Sequence, residues 1–219
     1  MNKVLLASNS ARRRQLIKLT GWEVTYTSAD IDESRQPDEP AHEYVMRLAR
    51  EKANAIQPSD QVMLILTADT IVVDRETIYG KPASATDARD ILWALRGHTH
   101  QVMTAIALVN PRDQTPVTDL CISGVPMRAY SMNEVDEYIK SGDPMDKAGA
   151  YAIQNVQFHP VTDFNGCFAS VMGMPLCHLT RTAARIGQTV DDEISKRCQA
   201  ELNYTCTIYK AVLRGDIIG

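Results

Sequence analysis

Three consecutive arginines, Arg12 to Arg14, lie at the start of a predicted helix. A helix begins with unpaired N–H groups and a partial positive charge, so cations at this end are electrostatically unfavourable. A bound phosphate would offset the repulsion, because it accepts hydrogen bonds from guanidinium, serine hydroxyl and backbone N–H groups together. Ser8 and Ser10 come just before the arginines. The alternative is a solvated cationic face on an exposed helix.

A carboxylate, Asp69, interrupts the apolar run LILTADTIVV. Aspartate is depleted in strands, and a buried charge needs partners. We therefore predict that one strand ends here, which places Asp69 at a carboxyl edge, where α/β proteins bind ligands. There it could hold a metal ion or accept a proton from water. The alternative is an aspartate that caps a turn between two short strands.

Further polar residues could complete a phosphate site. The acidic run Asp30, Asp32 and Glu33 would suit Mg²⁺, which takes one or two carboxylates together with substrate oxygens, although such loops are usually just solvated. By default Lys52, Lys81 and Lys147 are surface lysines. The small residues of AGAYA, after Lys147, would let a ligand approach closely, and the amide of Gln154 could bind a base edge.

The elements that would position these residues indicate a mixed α/β fold, a twisted mixed sheet with flanking helices. The hydrophobic pattern predicts strands at 3–7, 22–29, 62–74, 99–110 and 117–129, the last two forming a hairpin around 110–116. It predicts helices at 11–19, 41–56, 86–96 and 176–186, and one that begins with a capping box of Ser131 and Glu134 and ends near Gly142. The segment 76–82 is predicted as a turn.

The tail, 188–219, is predicted to be a separate appended element. Asp191 would cap a short helix that has Ile194, Cys198 and Leu202 on one face, and TCTIYKAVL would form a strand. Such a tail could add an edge strand, cover a dimer interface or bind a partner.

Composition excludes several classes of protein. The chain of 219 residues has 23 basic and 27 acidic side chains, a net charge of −4, and only 6% aromatic residues, which disfavours binding to nucleic acid or to an anionic membrane. No apolar run approaches the roughly 20 residues of a membrane span. Five cysteines without a CxxC pair indicate a reduced, cytoplasmic protein.

The histidines give no recognisable metal motif. His98 and His100 form an HxH pair without nearby ligands and are interpreted as structural. His178, with Cys177, Cys198 and Cys206, imitates a metal site only loosely, because the spacings fit no known motif.

Taken in order, the motifs resemble the Maf family over residues 3–186. The segments are LASNSARRRQL, DIDES, RLAREKA, ADTIVV, GKP, THQVMTAIAL, YIKSGDPMDKAGAYAIQ and NGCFASVMGMPL. The resemblance implies the inosine-triphosphate-pyrophosphatase fold, with two lobes around a central cleft, often as a homodimer. It makes residues 1–187 one nucleotide pyrophosphatase domain and leaves 188–219 as a C-terminal extension of unknown role.

The resemblance also implies an activity: hydrolysis of a nucleoside triphosphate to the monophosphate and pyrophosphate, with Mg²⁺ or Mn²⁺. Asp69 falls on the family's proton acceptor, and Asp69 and Glu33 fall on its metal contacts. The implied substrate contacts are Ser8, Ser10, Arg12, Arg13, Lys52, Thr70, Lys81 and Gln154, of which Arg12, Thr70 and Gln154 bear on specificity. In this interpretation Arg12 and Arg13 face the triphosphate, and Arg14 faces solvent or an acidic partner.

The motif DKAGAY-x-IQ resembles the branch of the family that acts on dTTP and UTP, rather than the branch that prefers 7-methyl-GTP. The chain departs from the family pattern at Ala11, Thr67, Ala152 and Asn155. Ala152 and Asn155 replace glycines, so the loop that bears Gln154 must differ if either glycine needs a positive φ. A competing hypothesis is a non-catalytic, nucleotide-binding regulator of septum formation, although such a regulator could have let Asp69 or Lys81 change.

Overall fold

The computed structural model describes residues 3–57, 64–113, 115–216 and 218. These residues form a six-stranded mixed sheet flanked by helices, as predicted. The strands are β1 (Lys3–Ala7), β2 (Glu23–Thr27), β3 (Leu64–Asp74), β4 (Thr77–Tyr79), β5 (Thr99–Val109) and β6 (Val117–Pro126). The helices are α1 (Ala11–Ile17), α2 (Ala41–Asn54), α3 (Ala85–Leu95), α4 (Met132–Lys140), α5 (Phe168–Val171), α6 (Leu176–Arg185), α7 (Ile194–Leu202) and α8 (Tyr209–Arg214).

The sheet has the order β2-β1-β3-β5-β6, with β4 paired to β3. β1 is parallel to both of its neighbours, whereas the β3–β5 and β5–β6 pairs are antiparallel, so the predicted hairpin of β5 and β6 is confirmed. Residues 62–63 of the predicted strand and residue 114 of the hairpin loop lie outside the described residues.

The register of β3 opens a gap in the sheet. On one side, β5 pairs with β3 from Ile65 to Val73. On the other side, β1 pairs only with residues 64–66 and β4 only with residues 72–74, so no described strand covers 67–71. The prediction that a strand ends at Asp69 is therefore wrong: β3 continues through it, with Asp69 opposite Ala105. Asp69 nevertheless lies just beyond a carboxyl edge, because its neighbour β1 has ended.

Alternate residues of β3 pack into two separate hydrophobic clusters, one on each face of the sheet. Ile65, Ile71 and Val73 pack with the apolar stripe of α2, including Val45 and Ala49. The other face carries the larger cluster, which takes Leu64, Leu66, Ala68 and Val72 of β3 together with apolar residues of α1, α3, α4 and α6. Because side chains alternate along a strand, Asp69 is directed to the α2 face and Thr70 to the opposite face.

The helix starts largely follow the predicted caps. Ser10 accepts a hydrogen bond from the backbone N of Arg13 at 3.4 Å, and Ser131 and Glu134 form the predicted capping box of α4. Asp191 is not the N-cap of α7: Glu193 occupies that position, and Asp191 accepts from its backbone N at 2.8 Å. None of the described helices has both the length and the apolarity that crossing a bilayer requires.

The tail contains two helices and packs onto the rest of the chain. Val190 and Ile194 are buried in the larger cluster, and Trp22 donates a hydrogen bond to the carbonyl of Thr189 at 3.1 Å. The predicted strand TCTIYKAVL is wrong, because α8 occupies most of it and ends at Gly215 with φ +100°. The predicted turn at 76–82 contains the short strand β4.

Candidate functional site

A cleft of about 1080 Å³ opens on the side of β3 opposite β5, at residues 67–71, where neither β1 nor β4 pairs with it. Its walls come from the loop after β1, the end of α2, the middle of β3, the loop after β4, and residues 146–154 and 171–173. The ten residues that the family resemblance assigned to the site all lie on this wall: Ser8, Ser10, Arg12, Arg13, Glu33, Lys52, Asp69, Thr70, Lys81 and Gln154. Of the acidic run, Asp30 and Asp32 do not line the cleft.

The centre of the cleft holds two carboxylates that share one ammonium group. Asp69 is only 8% exposed, and its Oδ1 lies 2.5 Å from Nζ of Lys52. The same Nζ lies 2.7 Å from Oε1 of Glu33. The expectation that Lys52 is a surface lysine is wrong, because only 12% of its side chain is exposed. Two oxygen donors that converge on one cation form a donor set suited to a hard divalent metal.

The position of Glu33 is fixed by its loop rather than by its exposed side chain. Its carbonyl accepts a hydrogen bond from the Tyr44 hydroxyl at 2.7 Å. The carbonyl of the next residue, Ser34, accepts a hydrogen bond from Nη2 of Arg47 of α2 at 2.9 Å. Arg47 also pairs with Glu39 at 2.6 Å, and this pair holds the pKa of Glu39 down at about 2. The acidic loop is therefore anchored to α2, and it is not the freely solvated loop of the alternative interpretation.

Arg13 organises the open edge of β3. Its Nη1 donates to the carbonyl of Ala68 at 2.7 Å, its Nη2 to Oγ1 of Thr70 at 3.0 Å, and its Nε to the carbonyl of Gly173 at 3.0 Å. Burial lowers the pKa of this guanidinium, and the nearby carboxylate of Asp69 opposes that shift. Three of its five N–H donors are thus used by the protein, which leaves two for a ligand.

A chain of hydroxyl hydrogen bonds continues from Arg13 across the sheet. Oγ1 of Thr70 lies 3.0 Å from Oγ1 of Thr104, and the Thr104 hydroxyl donates to the carbonyl of Ser170 at 2.8 Å. Since a carbonyl only accepts, Thr104 must accept from Thr70. The Thr70 hydroxyl is therefore already oriented, with Arg13 as its donor and Thr104 as its acceptor. Sequence analysis did not single out Thr104 or Ser170, although both lie within the motif segments quoted above.

Arg14 differs from its prediction. It is half-buried and has no acidic partner among the described residues: its Nε donates to the carbonyl of Ser8 at 3.0 Å, and its guanidinium lies 4.9 Å from the centre of the Tyr26 ring. The contact closes the turn after β1, where Oγ of Ser8 also accepts a bond from the N of Ser10 at 3.2 Å. Arg14 therefore holds the serine loop in place.

Three predicted site side chains have no protein partner. Within the described ranges, Arg12, Lys81 and Gln154 make neither a hydrogen bond nor an ion pair with another residue. They lie on the cleft wall around the buried Asp69. The cleft thus combines a centre whose charges are already paired with a periphery of cationic and amide groups that remain available to a ligand.

The wall that carries Gln154 is built around Asp143, a residue that the sequence analysis did not single out. Oδ2 of Asp143 accepts from the Tyr138 hydroxyl at 2.7 Å and from Nδ2 of Asn155 at 3.1 Å. The Tyr138 hydroxyl in turn accepts from the backbone N of Ala152 at 3.0 Å. Burial raises the pKa of Tyr138, and its bond to Asp143 adds to the shift.

Lys147 supports the same wall and is not the surface residue that its sequence context suggested. It is buried and pairs with Asp143 at 3.0 Å and with Asp146 at 2.6 Å. The signal for this arrangement was its place inside the motif DPMDKAGAY, where two aspartates precede the lysine.

The glycine replacements in this wall are compatible with the backbone. Neither Ala152 nor Asn155 has a positive φ, whereas Gly149 (φ +71°) and Ala150 (φ +56°) do. Gly149 is constrained in space as well, since a Cβ there would lie 2.7 Å from a methyl group of Val72. Asn155 also accepts bonds from the backbone N of Gln157 and Phe158 at 3.1 and 2.8 Å. The two departures from the family pattern therefore need no unusual backbone conformation.

The histidine pair beside the cleft has structural contacts. His98 lies 3.1 Å from Asp74, and Nε2 of His100 lies 2.9 Å from the Tyr151 hydroxyl. Burial lowers the pKa of His100 to about 4. No third ligand group joins the pair among the residues that the structure describes, in keeping with the interpretation of the HxH motif as structural.

Comparisons with known proteins find similarity over most of the chain. The family model described as Maf-like protein matches residues 3–186. A dTTP/UTP pyrophosphatase of Hahella chejuensis is 43% identical over 178 residues, which cover 80% of this chain and 88% of the relative. One from Photorhabdus laumondii is 39% identical over 194 residues, covering 87% of this chain and 97% of the relative.

Two further comparisons cover more of this chain, 95% and 92% of its length. A dTTP/UTP pyrophosphatase of Dehalococcoides mccartyi is 36% identical over 212 residues, covering 95% of this chain and 92% of the relative, so its alignment enters the tail. Among solved structures, the Ham1 protein of Staphylococcus aureus aligns with a TM-score of 0.44 and 12% identity, covering 92% of this chain and 98% of the other.

Proposed function

Because this chain belongs to the Maf-like protein family, we propose that it hydrolyses dTTP and UTP to their monophosphates and pyrophosphate. The observation that carries the proposal is the buried Asp69, held by Lys52 in a large cleft whose wall also carries Arg12, Lys81 and Gln154 without protein partners in the described structure. A triphosphate needs cations for its phosphates and a polar edge for its base, and this cleft offers both.

Asp69 is the proposed general base. Its carboxylate accepts a hydrogen bond from the Lys52 ammonium, which holds it in the cleft, and a carboxylate so placed can take a proton from a bound water. The proton comes from the water that attacks the α-phosphorus. As the new P–O bond forms, the bond between the α-phosphorus and the bridging oxygen breaks, and pyrophosphate leaves with the electron pair.

Arg12 and Lys81 are proposed to bind the leaving pyrophosphate. Both line the cleft and both lack a protein partner within the described residues, so binding phosphate disrupts no existing contact. Cationic groups placed where negative charge develops stabilise the transition state. Arg13 contributes by holding Thr70 and the open edge of β3, and its two remaining donors can reach a phosphate oxygen.

Glu33 and Asp69 would hold a divalent metal, Mg²⁺ or Mn²⁺. The fit rests on their oxygens, which already converge on one cation, the Lys52 ammonium. When bound, the metal would neutralise phosphate charge and polarise a phosphoryl oxygen.

Gln154 is proposed to recognise the base. Its amide both donates and accepts, and thymine and uracil present the same imide edge of alternating carbonyl and N–H groups. One amide would therefore serve dTTP and UTP alike. The network of Asp143, Tyr138 and Asn155 holds the wall from which Gln154 extends. The homodimer stays a prediction from the family resemblance, and the cytoplasmic location stays one from the cysteine content.

The test is pyrophosphate release from dTTP, UTP, CTP, GTP and 7-methyl-GTP with Mg²⁺ or Mn²⁺. We expect turnover of dTTP and UTP by the wild type and a loss of about 10²–10⁴-fold in Asp69→Asn, the range for a general base. Asp90→Asn, the same change on an exposed position of α3, is the matched control and should stay within about twofold.

Other outcomes would correct separate parts of the proposal. Full activity of Asp69→Asn would remove the general-base assignment. Turnover of another base alone would refute the role of Gln154 and keep the chemistry. Absence of turnover with nucleotide still bound would favour the non-catalytic regulator.

A further inference from the structure

A second group of potential ligand atoms lies outside the cleft, in the larger hydrophobic cluster. Cys121 of β6, Cys167 just before α5 and His178 of α6 each place one ligand atom within 4.8 Å of the other two. All three residues are buried, and His178 has no exposed surface. We call these three residues the thiol–imidazole cluster. The described cysteines are all free, so no disulfide explains the arrangement.

The ring of His178 is held in the orientation typical of a metal ligand. Its Nε2 lies 3.1 Å from the carbonyl oxygen of Ile218. Because a carbonyl only accepts, Nε2 must carry the hydrogen, and Nδ1 therefore carries a lone pair. Metal-binding histidines commonly donate their second ring N–H to such an acceptor. Nδ1 is buried without a hydrogen-bond partner in the described structure.

A second buried polar atom at this place also lacks a partner. The hydroxyl oxygen of Ser170, which lies beside the Cys121 thiol, is buried and makes no hydrogen bond with the described residues. A buried polar atom left unpaired costs about 1–3 kcal/mol. Two such atoms beside two thiols point to a ligand that would satisfy all of them.

We propose that Cys121, Cys167 and His178 bind one zinc ion, with the Ser170 hydroxyl as a neighbouring fourth donor. Sulfur and imidazole nitrogen are the usual ligands of structural zinc, and these sites are closed to solvent. Binding releases the two thiol protons, and the two thiolates and a neutral imidazole then balance the 2+ charge. A neutral assembly is the one that a buried site tolerates best. Copper(I) in the same place would leave one uncompensated negative charge.

Zinc at this place would join several parts of the chain. β6, α5 and α6 supply the ligands, and Ile218 from the end of the tail fixes the imidazole. In the sequence, His178 lies among Cys177, Cys198 and Cys206 at spacings that fit no known motif, whereas the fold places it beside Cys121 and Cys167. The proposal does not depend on the proposed function, because no atom of the thiol–imidazole cluster lines the cleft.

The first test is the metal content of the full-length wild type, purified, incubated with zinc and dialysed, then measured by mass spectrometry of the metal. We expect one zinc per chain. Cys121→Ala and Cys167→Ala should each weaken binding at least about tenfold, while Cys206→Ala should retain it. Cys206 is the matched control because it is a partly exposed cysteine outside the cluster.

Cobalt substitution of the wild type keeps the test valid even if the variants fail to fold. Tetrahedral Co²⁺ bound to sulfur should give thiolate-to-metal absorption in the near ultraviolet and strong d–d bands in the visible. A wild type that binds neither zinc nor cobalt would overturn the proposal. A disulfide between Cys121 and Cys167 in freshly purified protein would also overturn it, as would equal zinc loss in Cys206→Ala.

Discussion

The cleft and the thiol–imidazole cluster lie on the same sheet but differ in how their buried polar groups are paired. Thr70, Thr104 and Cys121 are direct neighbours across β3, β5 and β6. In the cleft, buried charges are paired within the protein, Asp69 with Lys52 and Arg13 with three acceptors. In the cluster, two buried polar atoms, Nδ1 of His178 and Oγ of Ser170, have no hydrogen-bond partner among the described residues.

This difference in the pairing of polar groups predicts how the cleft and the thiol–imidazole cluster each bind a ligand. A nucleotide entering the cleft meets Arg12, Lys81 and Gln154, whose side chains have no partner among the described residues, around a centre whose charges are already paired. A metal entering the cluster would displace the thiol protons and the 3.8 Å contact between Sγ of Cys121 and Oγ of Ser123, and it would supply a partner to two buried atoms that lack one in the described structure. The hydroxyl chain from Arg13 through Thr70 and Thr104 to the Ser170 carbonyl connects the two places.

The largest effect should come from removing the cation that pairs the cleft carboxylates. In Lys52→Met, Asp69 and Glu33 lose their common partner, and we expect the turnover rate with dTTP to fall about 10²–10³-fold, as when one charge-stabilising donor is lost. Arg50→Met, on the exposed side of the same helix, should stay within about twofold. Circular dichroism checks the fold of both variants. Turnover of Lys52→Met at the wild-type rate would show that pairing in the cleft does not serve catalysis.

A somewhat smaller effect, on the free energy of unfolding, should come from protonation of His100 at low pH. His100 lies beside Tyr151, Asp74 and His98, and its burial lowers its pKa to about 4, whereas an unfolded histidine titrates near 6.5. Between these values the unfolded state binds more protons, so stability is complete above about pH 6.5 and falls as the pH decreases towards 4. The loss should reach about 3 kcal/mol at pH 4.

Urea unfolding at pH 7 and pH 4 measures this loss. Carboxylates also titrate in that range, so the quantity to compare is the difference between wild type and His100→Gln. We expect the wild type to lose about 3 kcal/mol more than the variant. Equal losses would mean that His100 is protonated in the folded protein.

The smallest effect concerns the link between the two regions. Thr104→Val removes the acceptor of the Thr70 hydroxyl and the donor to the Ser170 carbonyl, which should lower the free energy of unfolding by about 1–3 kcal/mol. Thr104→Ser keeps the hydroxyl and should change it by less than about 1 kcal/mol. Thermal unfolding together with metal content provides the measurement. Loss of zinc in Thr104→Val alone would show that the two regions are coupled rather than independent.

Residues whose role depends on nearby sequence were predictable. Ser8, Ser10, Arg12 and Arg13 were singled out from local sequence, whereas Lys52, Thr70 and Lys81 entered the site only through the family resemblance; all of them line the cleft. The capping box of α4 was predictable for the same reason, since both partners are three residues apart.

Residues whose partners lie far along the chain were not predictable. Sequence alone does not show that Arg14 binds the carbonyl of Ser8 and lies over the Tyr26 ring. Nor does it show that pairing with β5 keeps β3 extended on both sides of Asp69. In the tail, the β-branched residues of TCTIYKAVL favour a strand, but burial of Val212 and the left-handed Gly215 accompany a helix instead. Tertiary contacts outweighed local propensity there.

The gap in β3 also bears on aggregation. A strand edge with unpaired backbone groups is a template on which another chain can add a strand. Here β1 and β4 flank the gap closely, and Arg13 occupies the carbonyl of Ala68, a group that an incoming strand would otherwise use. The arginine that shapes the cleft therefore also blocks the edge, and a change that freed this carbonyl would put solubility at risk together with activity.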